Sequence, residues 1–426
     1  MKIAYDRLTF CTTMLLGSAA LPLAADASGF RLPEISVAGI GKSNALVADT
    51  KSPGALPYNP AAMAFHEKGQ ASAGLILALP DVHVTPDNGT TTDSKGAYAL
   101  PIPSIFVSDH FNKQWSGGIA VNSPFGLETK WPAGTFQTFS DVASATSTPL
   151  IAALEPEHSK LEMLNFNPGV AFQPGTDTSL AFGIDYYVVR NLTFNTQSIK
   201  IEGDGSDLGW NIGIQHVHDA WSFGLSYRSS VVVNLNGTVD ATAVGALQSS
   251  ASAKLKFPSL LQVGARYAIN PDWALEFDLE RTGWSSFDVV NIKHASGLPS
   301  PITSTNNWDN ALAYRLGADF RLSPKTQLRF GYALDKTPQG DDYFTARLPG
   351  NDRQTLSAGF AHTIADWTLE GGYMYIWLND RTVSSSRSYL TGVAVDGNTD
   401  PNGTDAFNGK YQSSAQMIGL SVSTQF

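Results

Sequence analysis

Nine residues, WALEFDLER at 273–281, restrict the fold more than any other stretch of this chain. Trp273, Leu275, Phe277 and Leu279 alternate with Ala274, Glu276, Asp278 and Glu280. In an extended strand successive side chains point to opposite faces, so one face here is wholly apolar and the other carries three carboxylates. The acidic face calls for water or cations, while the opposite face is apolar enough for lipid, a polar-in, apolar-out division. The same division recurs in Trp221, Phe223, Leu225 and Tyr227, in Trp367, Leu369, Tyr373 and Tyr375, and in Leu180, Phe182, Ile184 and Tyr186. Trp115, Trp221, Trp273 and Trp367 each open such a segment just after a turn, as an interfacial aromatic girdle requires.

The connections set the topology. Short turns fall at residues 109–114, 173–178, 216–220, 269–272, 323–326 and 363–366, and longer polar stretches lie between them at 130–160, 239–252, 291–306, 337–352 and 384–408. Six short turns, with a first and a last strand added, predict an all-β fold, a transmembrane antiparallel β-barrel of about 14 strands. The short turns would face the periplasm and the long loops the outside of a Gram-negative outer membrane, in contact with lipid and lipopolysaccharide. Ile418, Leu420, Val422 and Thr424 alternate up to a terminal Phe426, the kind of last strand that barrel-assembly machinery reads.

Residues 28–68 break this pattern. They hold four glycines and four prolines and show no sustained alternation, so they cannot form a regular sheet. They also carry Phe30, Leu32, Ile35, Val37, Ile40, Leu46, Val47 and Phe65, too apolar for a solvated tail, and are expected as a plug enclosed by a barrel over 69–426. Residues 1–27 combine Lys2 and Arg7, an apolar run and Ala25-Asp26-Ala27, and read as a cleaved signal peptide. The chain's only cysteine, Cys11, would leave with it, which excludes thiol chemistry. A net charge of -10 without Lys/Arg clusters gives no support to a nucleic-acid partner.

Several motifs together resemble the FadL/TodX family of outer-membrane channels. Ser28-Gly29-Phe30, Glu34, Gly39-Ile40-Gly41, residues 45–49 and Asn59-Pro60-Ala61 are similar to its N-terminal hatch. NSPFGLETKW at 122–131, Trp273 with RTGWS at 281–285, YRLG at 314–317 and residues 347–353 follow in family order. The resemblance implies a barrel of fourteen strands plugged by the hatch, with passive uptake of long-chain fatty acids or aromatic hydrocarbons and no catalysis or cofactor. It also implies capture of ligand between outer loops, a deeper lumenal pocket, and lateral release through a kink in the third strand.

The residues themselves offer a cause for that kink. The third strand runs from Trp115 and is interrupted at Pro124, Phe125 and Gly126, where a proline removes one ladder bond and a glycine permits a bend. Read alone, Pro124 could equally end the strand at its rim. Inward apolar positions, Tyr187 and Val189 in one strand and Met374 and Ile376 in another, are candidate ligand contacts or packing against the plug, and Phe30 is a candidate for both. Inward Arg228, Arg266, Arg315, Arg321 and Arg329 could hold a carboxylate, or be neutralised by Glu276, Asp278, Glu280 and Asp319. His216 and His218 lack a third ligand, Asp396, Asn398 and Asp400 lack the glycine of a calcium loop, and no metal is expected. The competing readings are a general porin, a surface adhesin or phage receptor, and an outer-membrane lipid hydrolase, which would need a serine and a histidine side by side on the outer wall.

Overall fold

Fourteen antiparallel strands close on themselves in the computed structural model, which describes residues 29–87, 89–96, 99–385 and 404–426. The signal-peptide expectation, Ser28 and the calcium-like residues 396–400 lie outside the described residues. The strands are β1 (Gln70–Pro86), β2 (Leu100–His110), β3 (Trp115–Asn122, resumed at Gly126–Lys130), β4 (Pro156–Phe172) and β5 (Thr178–Thr196). They continue with β6 (Lys200–His218), β7 (Trp221–Arg228, resumed at Val231–Asp240), β8 (Gln248–Phe257, resumed at Leu260–Ala268) and β9 (Trp273–Thr282). β10 (Ala311–Ser323), β11 (Thr326–Asp335), β12 (Arg353–Ile364), β13 (Trp367–Leu378) and β14 (Gly409–Gln425) complete the wall. β1 pairs with β14 along its whole length, from Gln70 opposite Gln425 to Pro86 opposite Gly409. Closure satisfies the backbone groups that lipid cannot.

The alternation sorts side chains as a membrane wall must. In β9, Glu276, Asp278 and Glu280 are buried toward the lumen and Leu275, Phe277 and Leu279 are exposed on the outer face. Trp115, Trp221, Trp273 and Trp367 stand exposed at the short-turn end, each the first residue of its strand or strand segment. Three of them pack against a ring across the ladder, Trp115 on Phe172 (4.8 Å), Trp221 on Tyr267 (4.5 Å) and Trp273 on Phe320 (4.5 Å). At the opposite end the loop after β3 folds into helices Thr138–Thr146 and Pro149–Ala152, which pack with Trp131, Phe344 and Phe407 in an apolar cluster.

Residues 29–69 fill the lumen. Proline and glycine leave only short helices there, Val37–Ile40, Pro53–Ala55 and Pro60–Phe65. Asn59 caps the last, its Oδ1 accepting the Ala61 N–H at 3.1 Å, while its Nδ2 donates to Ile214 O and Gln215 Oε1 of the wall. Buried ion pairs fasten the rest of the plug. Lys42 Nζ lies 2.9 Å from Glu276, 3.1 Å from Asp319 and 3.3 Å from Asp49, and Arg353 reaches Glu34 at 3.2 Å. Arg266, Arg315 and Arg329 pair with Asp319, Asp335 and Glu370, and Arg228 with Asp185, so these four lumenal arginines are neutralised. Arg321 keeps the inward side but stands at the strand's end. The β10 register shifts between Arg321 and Ser323, and its side chain emerges, exposed, into a polar mouth of about 450 Å³ at the short-turn end.

Candidate functional site

The wall changes character at β3. The β2–β3 ladder runs from His110 opposite Ser116 to Ile105 opposite Val121 and then stops. Beyond it Leu100–Ser104 of β2 form a ladder only with β1, and Gly126–Lys130 of β3 only with β4, the tip alone being met by the β1–β2 loop, where Lys95 N–H donates to Lys130 O at 2.7 Å. The β3–β4 register also slips, because Asn122 faces Asn165 while Gly126 faces Glu162. Ser123, Pro124 and Phe125 therefore stand opposite only Met163 and Leu164, and the extra residue bends the strand inward.

The hatch supplies the partners that β2 no longer gives. Leu32 N–H donates to Pro124 O at 2.9 Å, Gly126 N–H donates to Phe30 O at 3.1 Å, and Arg31 bridges Phe125. Arg31 is held in turn by an ion pair with Glu280. An apolar cavity of about 640 Å³ lies at this break. Its lumenal side includes Phe30, Ile102, Phe125, Ile376 and Met417, and it also touches Leu75, Pro101 and Pro103, which stand on the exposed outer face. Toward the loops it meets charge, with Lys160 at 2.8 Å from Glu162, and Arg347 donating to Ser159 and Asn195 beneath a stacked Phe194.

Phe30 sits in an aromatic box. Its ring centroid lies 4.6 Å from Trp284, 5.2 Å from Phe287, 5.9 Å from both Phe125 and Trp308, and 6.2 Å from Phe257. Gly29 makes this approach possible, since its φ is +62° and a Cβ there would lie 2.7 Å from Trp308 and 2.8 Å from Trp284. Offset and edge-on ring pairs of this kind add about 0.5–1.5 kcal/mol each beyond burial.

The residues singled out in the sequence divide by depth. Phe30, Tyr187 and Val189 belong to the box around the break, while Met374 and Ile376 pack in a second cluster with Val37 and Ile40 of the hatch. Only Ile376 of that pair lines the cavity. Gly29 lies at the cavity, whereas Asn59, Pro60 and Ala61 anchor the opposite end of the hatch against β5 and β6, with Ser179 donating to Ala61 O. Phe257, Trp284, Phe287 and Trp308 were not anticipated, although Trp284 stands within the RTGWS motif and Phe257 directly precedes a strand-breaking proline. The His216 and His218 rings stack at 6.4 Å, and among the described residues no three His, Cys, Asp or Glu side chains are placed to hold a metal ion.

A closed barrel of fourteen strands, filled by its own N-terminal segment and carrying an apolar cavity at a break in its wall, defines a plugged outer-membrane transport barrel. Over residues 18–426 the chain matches the family described as outer membrane protein transport protein (OMPP1/FadL/TodX), and it belongs to that family. Its place is the outer membrane of a Gram-negative bacterium. It is 24% identical to the long-chain fatty acid transport protein of Escherichia coli O6:H1, with 94% of each chain covered. Its fold is that of a Pseudomonas aeruginosa FadL homologue (TM-score 0.74, 18% identity, 94% of this chain and all of the other) and of the Ralstonia pickettii toluene transporter TbuX (TM-score 0.66, 14% identity, 91% and 98%).

Proposed function

We propose that this protein carries hydrophobic compounds passively across the outer membrane, taking them from the outer loops into the cavity beside Phe30 and releasing them sideways between β2 and β3. The observation that carries the reading is the end of the β2–β3 ladder at Ile105 and Val121 beside an apolar cavity. Unpaired strand edges are costly against lipid, so a wall that gives them up is expected to gain something by it. Pro124, Phe125 and Gly126 form the lateral gate in this reading. Phe30, Tyr187, Val189 and Ile376 are ligand contacts, and Met374 supports the plug. Lipid and lipopolysaccharide surround the exposed face, and the strand ending at Phe426 is the segment offered to the assembly machinery. Relatives named for long-chain fatty acids and for toluene support a hydrophobic cargo.

The test is uptake of radiolabelled oleate and of toluene by cells lacking their own transporter. Replacing Pro124 and Gly126 together by valine is expected to reduce uptake at least about tenfold. Uptake that survives would place the exit elsewhere, and no uptake of either compound by the unaltered protein would overturn the reading.

A further inference from the structure

Three hydrogen-bond donors in the aromatic box have no acceptor. The Trp284 and Trp308 Nε1–H groups and the Tyr187 hydroxyl are enclosed, their side chains 0%, 3% and 1% exposed, and no acceptor reaches them among the described residues. Leaving a buried donor unmade costs about 1–3 kcal/mol, so three in one pocket are far from the usual satisfaction of buried polar groups. They are not scattered. Trp284 and Trp308 contact each other at 5.1 Å and both contact Phe30, while Tyr187 meets Phe125 at 6.1 Å and Phe257 at 5.6 Å, two rings that themselves contact Phe30. Trp308 lines the cavity, and Tyr187 lines a small void behind Phe125.

We infer that the pocket filled by Phe30 selects a hydrophobe of about one ring's size that carries a neutral hydrogen-bond acceptor, a carbonyl or hydroxyl oxygen, which these three donors read. This deepens the proposed function and rests on it, since the ligand enters as the Phe30 ring leaves. The acceptor is neutral because the cations bordering the box are already paired: Arg228, which with Arg31 lines the void beside Tyr187, is held by Asp185. Arg31, the residue beside Phe30, is committed to Glu280, and an ionised carboxylate among neutral rings would be buried without a counter-charge. A pure hydrocarbon would fill the same volume and leave all three donors unpaired. Sites built to hydrogen-bond a ligand discriminate strongly against the analogue that lacks the group.

Binding to the purified full-length protein in detergent tests this, with acetophenone and its hydrocarbon counterpart isopropylbenzene as probes. Acetophenone is expected to bind at least about fivefold tighter. Trp308→Phe and Tyr187→Phe are each expected to reduce the acetophenone affinity about three- to tenfold and to leave isopropylbenzene within about twofold. Tyr187→Phe removes one oxygen and keeps the ring, so it serves if an indole replacement disturbs folding. Equal affinities in the unaltered protein, parallel losses for both probes, or no binding of either would overturn the inference. The uptake assay separates the two failures. Uptake of hydrophobes without preference for the acceptor sinks the inference alone, and absence of uptake sinks the transport reading with it.

Discussion

The barrel wall is interrupted by proline at two places that look alike in sequence and behave differently. In β3, Pro124 is followed by a buried Phe125, and in β8, Pro258 is preceded by a buried Phe257. The two rings even meet, at 4.9 Å. Across the β7–β8 interruption, however, the register is unchanged, with Arg228 opposite Leu260 below it and Val231 opposite Phe257 above. The outer neighbours do change, since β6 pairs Asn211 with Arg228 below and Gly205 with Leu235 above, a shift of one residue, and β9 ends at Thr282 opposite Leu260, but hydrogen bonds bridge both steps. Ser229 N–H donates to Trp210 O at 2.9 Å, and Gly283 N–H donates to Ser259 O at 2.8 Å. At β3 the register slips on one side, β2 departs on the other, and the freed groups are paired from inside by the hatch. A proline therefore makes a dent where the strand keeps its register with one neighbour straight across it, and an opening where that register slips and the other neighbour leaves. The dent is sealed by the wall, the opening by the plug.

Uptake should show the largest contrast. Pro258→Val is expected to leave transport within about twofold, against the tenfold or greater loss expected for the Pro124 and Gly126 pair. Equal losses from both would mean that the two interruptions form one passage and would break the comparison.

A second contrast lies in what each interruption leans on. Lys42 is fully buried and holds Asp49, Glu276 and Asp319 together, so Lys42→Met leaves the three carboxylates with only Arg266 shared among them and the hatch without its own cation there. A loss of about 3–5 kcal/mol in hatch stability is expected, read as protease cutting within residues 29–69 while the barrel stays intact. The β3 opening should then leak small solutes, and Pro258 should be unaffected. A hatch that resists cutting after this change would show that the ion pairs do not hold it.

These contrasts also mark what the sequence could tell. The wall was legible because period-two alternation puts Glu276, Asp278 and Glu280 on one face and Leu275, Phe277 and Leu279 on the other, and because turn length alone orders the strands. The plug was legible from its prolines and glycines. Pro124 announced that one ladder donor is missing, but not which neighbour departs, and Pro258 announced the same with a different outcome. The aromatic box had no local signature, since Phe30 meets Trp284 and Trp308 across some 250 residues of chain. Met374 and Ile376 both point inward, as their alternation requires, yet only the position of the hatch decides that one lines the cavity and the other does not.

Acid should loosen the hatch through His66, at the end of the plug near the short turns. Burial pushes its imidazole down to about 4, while its Nδ1 stands 3.1 Å from Ser108 Oγ and its carbonyl accepts from the His110 ring. The folded value lies below the unfolded one of about 6.5, so the unfolded chain binds the proton first. The hatch keeps its full stability above about pH 6.5 and loses it progressively as the pH falls toward 4, by about 3 kcal/mol for a shift of this size. Protease cutting of the hatch at pH 7.5 and 5 should differ in the unaltered protein and much less in His66→Gln. A difference that persists in the variant would assign the acid response to other groups.

The smallest effect is the most discriminating. Ser229 Oγ accepts the Trp210 N–H at 3.0 Å, one of the bonds that keep the β7–β8 interruption sealed from the β6 side. Ser229→Ala leaves that amide without its side-chain acceptor and is expected to cost about 1 kcal/mol in denaturant unfolding of the barrel. If the β7–β8 interruption is only a dent, uptake does not change, because the Ser229 N–H bond to Trp210 O and the unshifted β7–β8 register remain. If uptake instead rises, the seal was holding back a second passage, and the absence of a register slip would no longer distinguish a closed wall from an open one.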